Sequence, residues 1–149
     1  MNPFDIRAAL LAKHAQHVVL IHFPIALFIA GVLFDFLGQI TKKRVLAEVA
    51  YYDLLGAAIS AVPVVATGLL AWQFQLEVQK LKGILLMHLV LGFMSLALLW
   101  IVWGLHARSR QEFPGKVPAF RLGLELLTVA LVGLTGHLGG FLSGVNASN

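Results

Sequence analysis

Residues 83–107 read GILLMHLVLGFMSLALLWIVWGLHA, a run of 25 residues without a formal charge. A helix that crosses the hydrocarbon core of a bilayer needs about 20 mostly apolar residues, so this run is long enough to span a membrane once. Three more charge-free windows, of 21, 23 and 24 residues, lie at 14–34, 54–76 and 126–149. The four windows together hold 93 of the 149 residues. The chain is therefore predicted to cross a membrane four times.

Charge is scarce along the whole chain. There are 11 Lys and Arg and 7 Asp and Glu, which is 12% of the sequence, whereas soluble domains have about 25%. Hydrophobic residues make up 59%, and the mean hydropathy is +0.86. This composition excludes a soluble globule, a disordered chain and a nucleic-acid-binding domain. The net charge of +4 is interpreted as a signal of membrane topology, and no nucleic acid is expected as a partner.

The predicted fold is an all-α integral membrane protein. One domain over 1–149 contains a bundle of four transmembrane helices, and a short interfacial helix over 3–15 precedes it. Pro24 cannot donate a hydrogen bond to the carbonyl of Leu20, so a kink or a loosened turn is expected at 20–24. The four spans are predicted at about 17–38, 52–72, 83–105 and 122–142.

Lys and Arg are unevenly divided between the predicted loops. Seven lie in 39–51 and 106–121, and four lie near the opposite ends of the spans. Cytoplasmic loops carry the excess of Lys and Arg, so the side with seven is predicted to be cytoplasmic. Both termini are then expected outside the cytoplasm.

The absence of cysteine removes several chemistries. A disulfide framework, a covalent c-type haem motif, a thiolate metal site, an iron–sulfur cluster and a thiol nucleophile all need cysteine. Six histidines remain, and three of them fall at one depth. With a rise of 1.5 Å per residue, His22, His88 and His137 each lie roughly 8 Å below the outer interface. His17 lies just above them, and His106 is on the inner side.

Small residues share the helix faces of these histidines. Gly136 and Gly140 share a face with His137, and Gly92 follows His88 by four residues. Small-residue faces are expected to point into a membrane bundle. Two alternatives stay open: the glycines serve close helix packing alone, or each histidine hydrogen-bonds a carbonyl without binding any ligand.

Histidine-only coordination permits two main chemistries. In the first, two of His22, His88 and His137 hold a b-type haem, and Gly92, Gly136 and Gly140 make room for the macrocycle. In the second, the same imidazoles bind copper, zinc or non-haem iron. His17 is expected as a supporting residue, an exchangeable ligand or a neighbour of the haem propionates. His106 has no histidine partner, which argues against a second haem on the inner side.

Acidic residues approach the inner ends of three spans. Asp35, Asp53 and Glu125 are predicted there, and Arg121 and Glu125 form an i, i+4 pair. We predict interfacial ion pairs that seat the helices, in preference to a proton path.

These residues resemble a known family. His17-Val-Val-Leu-Ile-His22-Phe23-Pro24, Thr67-Gly68-Leu69-Leu70 and Gly136-His137-Leu138-Gly139-Gly140 are similar to landmarks of a bacterial membrane family, domain of unknown function 2231. The resemblance covers nearly the whole chain. It implies a four-span protein. Since some members are joined to c-type cytochrome domains, it also implies that the protein works together with redox proteins. The family often has proline where this chain has Val18 and an acid where it has Ala71, so no carboxylate role is carried over to position 71.

The predicted function is that of an inner-membrane b-type haem protein. Its haem lies near the outer leaflet and exchanges electrons with a periplasmic c-type cytochrome or a quinone. We expect a multi-pass protein of a bacterial inner membrane with both termini periplasmic, and the sequence leaves open whether it is an enzyme. The alternatives are a membrane protein with histidine-ligated copper, zinc or iron, or an accessory subunit of a larger membrane complex or homo-oligomer.

Overall fold

The computed structural model describes residues 13–74, 80–110 and 119–144, and all of its regular elements in these ranges are helices. Residues 3–12 of the expected interfacial helix lie outside the described residues. The helices, in chain order, are α1 (Lys13–Leu20), α2 (His22–Thr41), α3 (Arg44–Phe74), α4 (Gly83–Ser109) and α5 (Ala119–Leu142).

Four helical stretches of the described residues are long and apolar enough to cross a membrane. The first joins α1 and α2 over Gln16–Thr41, and α3, α4 and α5 supply the others. The prediction of an all-α bundle with four membrane helices is therefore confirmed. The chain runs alternately between two ends of the bundle. We call them the His17 end, where α1 and α4 begin and α3 and α5 finish, and the Arg121 end, where α2 and α4 finish and α3 and α5 begin.

The first span is interrupted where Pro24 predicts it. α1 ends at Leu20, Ile21 forms a turn, and α2 begins at His22. The amide of Ile21 still donates to the carbonyl of His17 at 3.1 Å, so the chain continues in nearly the same direction. The break separates His17 from His22, because the two residues belong to different helices.

The helices at the Arg121 end extend further than the apolar windows. A loop is expected over 39–51, but α3 already begins at Arg44, and only Lys42 and Lys43 connect α2 to α3. Lys42 makes this turn in the left-handed region at φ 56°, a conformation that often follows the last helical residue. The windows stop at the first charge, whereas Arg and Glu are good helix formers and allow the helix to continue.

The core lies where α2, α3 and α4 meet. Phe28, Leu54 and Val102 are fully buried there, beside a run of buried alanines on α3. α2 and α3 share the most extensive contact in the bundle. Gly31 makes it possible, because a Cβ atom at this position would lie 2.9 Å from Cγ of Leu54. This core lies between the His17 end and the Arg121 end and packs the three helices that connect them.

Candidate functional site

His17 is held on α3 by a hydrogen bond and a glycine. Its Nδ1 lies 3.1 Å from the carbonyl oxygen of Val64 and 3.3 Å from Oγ1 of Thr67. A carbonyl only accepts, so Nδ1 carries the hydrogen and the lone pair is on Nε2. A Cβ atom on Gly68 would lie 3.0 Å from Cε1 of His17, so this glycine gives the ring its space.

His88 is held in the same way on α5. Its Nδ1 donates to the carbonyl oxygen of Thr135 at 3.0 Å. The Thr135 hydroxyl also lies 3.3 Å from Oγ of Ser95, which joins α4 to α5 two turns beyond His88. A Cβ atom on Gly139 would lie 3.1 Å from Cε1 of His88. Both rings therefore anchor Nδ1 on a backbone carbonyl and rest against a glycine.

The two anchored rings lie next to each other in a cleft at the His17 end. Their centroids are 6.3 Å apart, and their planes are nearly perpendicular, at 87°. The cleft has a cavity volume of about 170 Å³, is open on one side and is mostly apolar. Its walls include Pro24, Ile25, Leu69, Trp72, Leu85 and Leu96. The site thus combines two oriented imidazoles with a mostly apolar cleft.

The spacing of the two rings suits a shared metal ion. An imidazole nitrogen lies roughly 2 Å from a bound metal ion, so two rings on opposite sides of one ion have centroids roughly 6 Å apart. A carbonyl bonded to the second ring nitrogen is the usual arrangement for a histidine ligand, because it fixes the tautomer and the ring orientation. His17 and His88 have both features.

The structure separates the other predicted ligands from this pair. His22 is exposed, and its Nδ1 lies 3.3 Å from the carbonyl oxygen of Val19. His137 is also exposed and contacts Phe141 edge-to-face, with ring centroids 5.0 Å apart. Neither is among the described residues that line the cleft. The assignment of His22 and His137 as ligands stays a prediction.

The predicted glycines have different surroundings. Gly92 and Gly136 line the cleft. A Cβ atom on Gly136 would make an ordinary contact of 3.7 Å with Ile25, and one on Gly92 would meet nothing within 4 Å. The carbonyl of Gly140 accepts a hydrogen bond from Ser143 at 3.1 Å. Sequence reasoning missed Gly68 and Gly139 as the glycines that touch the rings, although both belong to the quoted motifs.

A second polar group is buried at the Arg121 end. Its members, which we call the Arg121 cluster, are Asp35, His106, Arg121 and Glu125, all at most 6% exposed. Nη2 of Arg121 donates to Oδ1 of Asp35 at 2.6 Å, and Nε2 of His106 lies 2.7 Å from Oε1 of Glu125. The predicted pair of Arg121 and Glu125 is present at 3.5 Å. The ion pairs expected for Asp35 and Glu125 are confirmed, although they are buried rather than interfacial, and the pair of Arg121 with Asp35 joins α5 to α2.

His106 is the member that sequence reasoning did not place in this cluster. Its missing histidine partner argued against a second haem, but a carboxylate is its partner instead. A buried carboxylate in a membrane bundle needs a donor, and that requirement could have pointed from Glu125 to a polar residue on a facing helix. Asp53 lies apart from the cluster, beside Gly31.

A small polar cavity joins the cluster to the surface. Its walls include Asp35, Gln39 and His106 on the inside and Arg44, Glu48 and Arg110 at the mouth. Arg110 donates to Oε2 of Glu48 at 2.8 Å and to the hydroxyl of Tyr52 at 3.0 Å. The hydrogen bond to Glu48, assisted by Tyr52, raises the pKa of Arg110 above its already high ordinary value. The mouth is thus permanently charged.

A membrane bundle with two oriented histidines at one end and a buried ion network at the other defines the class of this protein: a small four-helix integral membrane protein. The chain belongs to the family of predicted membrane proteins called domain of unknown function 2231, whose model matches residues 13–146. No curated protein and no solved structure matches the chain. The resemblance expected from the motifs is therefore confirmed, and with it contact with a lipid bilayer.

Proposed function

We propose that the chain binds one b-type haem between His17 and His88 and takes part in electron transfer. The observation that carries the proposal is the pair of imidazoles, 6.3 Å apart between centroids, in an apolar cleft. The membrane is proposed to be a bacterial inner membrane, with the His17 end on the periplasmic side. The proposal keeps the haem and its depth near the outer leaflet as predicted from the sequence, but it selects His17 and His88 as the ligand pair.

The number of ligands favours haem over a bare metal ion. A macrocycle brings four nitrogens and needs two axial ligands, whereas zinc, copper or iron bound by protein alone needs three or four. Two imidazoles line the described part of the cleft. Among the residues described, the group with three metal-binding side chains is Asp35, His106 and Glu125 at the opposite end. The donor set in the cleft therefore fits haem.

The chain's own residues would bind and orient the group. His17 and His88 would offer Nε2, because their Nδ1 atoms are hydrogen-bonded to the carbonyls of Val64 and Thr135. The apolar walls would exclude water from the bound group. Leu81 lines the cleft, and the exposed Lys80 and Lys82 on either side of it would balance anionic propionates. Bound haem would supply a one-electron carrier.

The proposed redox partner is a periplasmic c-type cytochrome or a quinone. One observation supports it: His17 and His88, between which the haem would lie, are at one end of the bundle, near the first residues of α1 and α4. An electron carrier at that position is accessible both to a protein docked on the bundle end and to a molecule dissolved in the bilayer.

Absorption spectroscopy of the full chain in detergent micelles tests the proposal. Protein produced with an ample haem supply should show a Soret band and, after dithionite, the sharp bands of six-coordinate low-spin haem. His17→Ala and His88→Ala should each lose the low-spin spectrum. His22→Ala and His137→Ala are matched controls, because each removes an exposed imidazole from a helix of the same bundle. Both variants should keep the low-spin spectrum.

Three outcomes would contradict the proposal. Absence of a Soret band in haem-replete protein would exclude haem, and elemental analysis of the same sample would then test copper, zinc and iron. Loss of the spectrum in His22→Ala or His137→Ala, with His17→Ala unchanged, would favour the ligand set predicted from sequence. A spectrum unchanged in all four variants would place the haem elsewhere.

A further inference from the structure

We propose that His106 and Glu125 form a proton-binding site, which takes up and releases one proton through the polar cavity at the Arg121 end. The ligand is the proton itself. The argument uses only the Arg121 cluster and its cavity, and it does not depend on haem binding at the other end.

The first step is the charge of the cluster. Arg121 and Asp35 cancel each other across a contact of 2.6 Å, with side chains 7% and 3% exposed. Glu125 adds a second carboxylate, which is fully buried. An unbalanced charge in this position is costly, so the cluster is stable when one proton resides on His106 or Glu125. One exchangeable proton thus makes the whole cluster neutral.

The second step is the bond that holds this proton. Nε2 of His106 and Oε1 of Glu125 are 2.7 Å apart, the length of a charge-assisted hydrogen bond, so one proton lies directly between the two groups. With the proton on Nε2 the pair is imidazolium and carboxylate, and with the proton on Oε1 it is imidazole and carboxylic acid. Both forms leave the cluster neutral, so the transfer needs no other charge to move.

The third step is an unsatisfied oxygen. Oε2 of Glu125 is buried and has no hydrogen-bond partner among the described residues. An ionised oxygen without a donor loses more solvation energy than a neutral one. An ionised Glu125 would carry this cost at Oε2, which distinguishes the site from a fully satisfied ion pair.

The fourth step is access. His106 lines the polar cavity, and its Nδ1 lies 4.0 Å from Oδ1 of Asp35, which lines the same cavity. A proton that arrives on Nδ1 can leave from Nε2 toward Glu125, since the two ring nitrogens exchange roles. The titratable and charged groups around the cavity are Asp35 on α2, Arg44, Glu48 and Tyr51 on α3, Arg110 beyond α4 and Arg121 on α5.

A divalent cation fits the cluster less well than a proton. Asp35, His106 and Glu125 do offer three ligand atoms within 4.8 Å of one another. The guanidinium of Arg121 already neutralises Asp35, so a divalent ion would leave the buried cluster with an excess positive charge. A proton gives neutrality, and a metal ion does not.

Within the part of the chain that the structure describes, the cavity at this site opens at the Arg121 end. Toward the His17 end, Val102 and Leu99 are buried and apolar, Thr128 donates its hydroxyl to the carbonyl of Leu124 at 2.8 Å, and the buried indole Nε1 of Trp103 has no acceptor among the described residues. Protons therefore enter and leave at the Arg121 end.

Infrared difference spectroscopy of the full chain in lipid nanodiscs, with ring-15N histidine to mark imidazole bands, tests this proposal. A change of external pH should alter one carboxyl band and one imidazole band together, and both should shift in D₂O. Glu125→Gln should remove the carboxyl change. Asp35→Asn should abolish the proton uptake although it leaves the pair intact, because Arg121 alone then neutralises Glu125. Glu48→Gln, at the mouth, is the matched control and should keep both signals.

The wild-type spectrum decides the matter even where a variant fails to fold. A permanently ionised carboxylate beside a permanently charged imidazolium, over the whole pH range in which the protein stays folded, would reduce the cluster to static ion pairs. Unchanged proton uptake in folded Asp35→Asn would contradict the charge argument. Binding of a divalent ion that displaces the exchangeable proton would assign the site to a metal.

Discussion

The two ends of this bundle hold histidine in opposite ways. At the His17 end, His17 and His88 are half-buried, and each ring is hydrogen-bonded to a backbone carbonyl. At the Arg121 end, His106 is buried against a carboxylate. Backbone anchors hold two rings beside a mostly apolar cleft, while the carboxylate anchor places His106 in a buried cluster of ionisable groups. The first arrangement suits a ligand, and the second stabilises the fold and binds a proton.

Removal of Arg121 is expected to have the largest effect on stability. Arg121→Leu leaves Asp35 and Glu125 without their buried cation, and breaking a buried pair in this way costs about 3–5 kcal/mol. The free energy of unfolding, measured by circular dichroism in mixed micelles with increasing SDS, checks it. Helix content at zero SDS shows whether the variant folds.

Arg110→Leu is the matched control for that loss. It removes an arginine of the same end that pairs with Glu48 at the exposed mouth. Exposed ion pairs contribute little to stability, so the free energy of unfolding of this variant should be close to that of the wild type. Equal losses in the two variants would contradict the distinction between a buried cluster and a charged surface.

The second prediction concerns the helix contact that links the two ends. In Gly31→Ala, the new methyl group would lie 2.9 Å from Leu54, which is 1% exposed and has little room to move. Overpacking of this kind costs about 1–3 kcal/mol. Gly104→Ala is the control, because a Cβ atom there meets nothing within 4 Å. The same SDS titration should show a loss in the first and none in the second.

The features that the sequence could predict are those with a local signal in the chain. Four spans follow from the gaps between charges, because only apolar helices of that length cross a bilayer. The break near Ile21 follows from Pro24, and the i, i+4 pair of Arg121 and Glu125 follows from spacing. In each case the signal is local in the chain, and the structure confirms it.

The pairing of His17 with His88 could not be predicted in the same way. In so apolar a chain, residues that face lipid and residues that face the core look alike, so the pattern does not fix the rotation of a helix about its axis. Equal depth grouped His22 with His88 and His137, but depth says nothing about direction. His22 and His137 are exposed, whereas His17, on the other side of the break, lies beside His88.

The third prediction measures how little the His17 end contributes to stability. His88→Ala removes a half-buried ring and one hydrogen bond to the carbonyl of Thr135. A neutral hydrogen bond contributes about 1 kcal/mol net, so the loss in ligand-free protein should be near that value. A loss as large as that of Arg121→Leu would mean that the pair of rings holds the bundle together, and the comparison of the two ends would fail.

The smallest effect on stability is expected for Gly139→Ala. The methyl group would lie 3.1 Å from Cε1 of His88, so the ring must move by a few tenths of an ångström. The ring borders a cleft and can do so, while alanine in place of a helical glycine gains roughly 0.5–1 kcal/mol. The free energy of unfolding should therefore change little, but the low-spin spectrum of haem-loaded protein should weaken or shift.

Gly133→Ala separates the two roles that a glycine stripe can have. It lies on the same helix, a Cβ atom there meets nothing within 4 Å, and the spectrum should stay unchanged. If both variants keep the spectrum, the glycines of α5 serve helix packing alone, as small residues in membrane helices often do. If only Gly139→Ala alters it, this glycine provides space for a ligand-binding ring. The Gly-His-x-Gly-Gly motif would then matter through Gly139, which touches the histidine of the neighbouring helix, and not through its own His137.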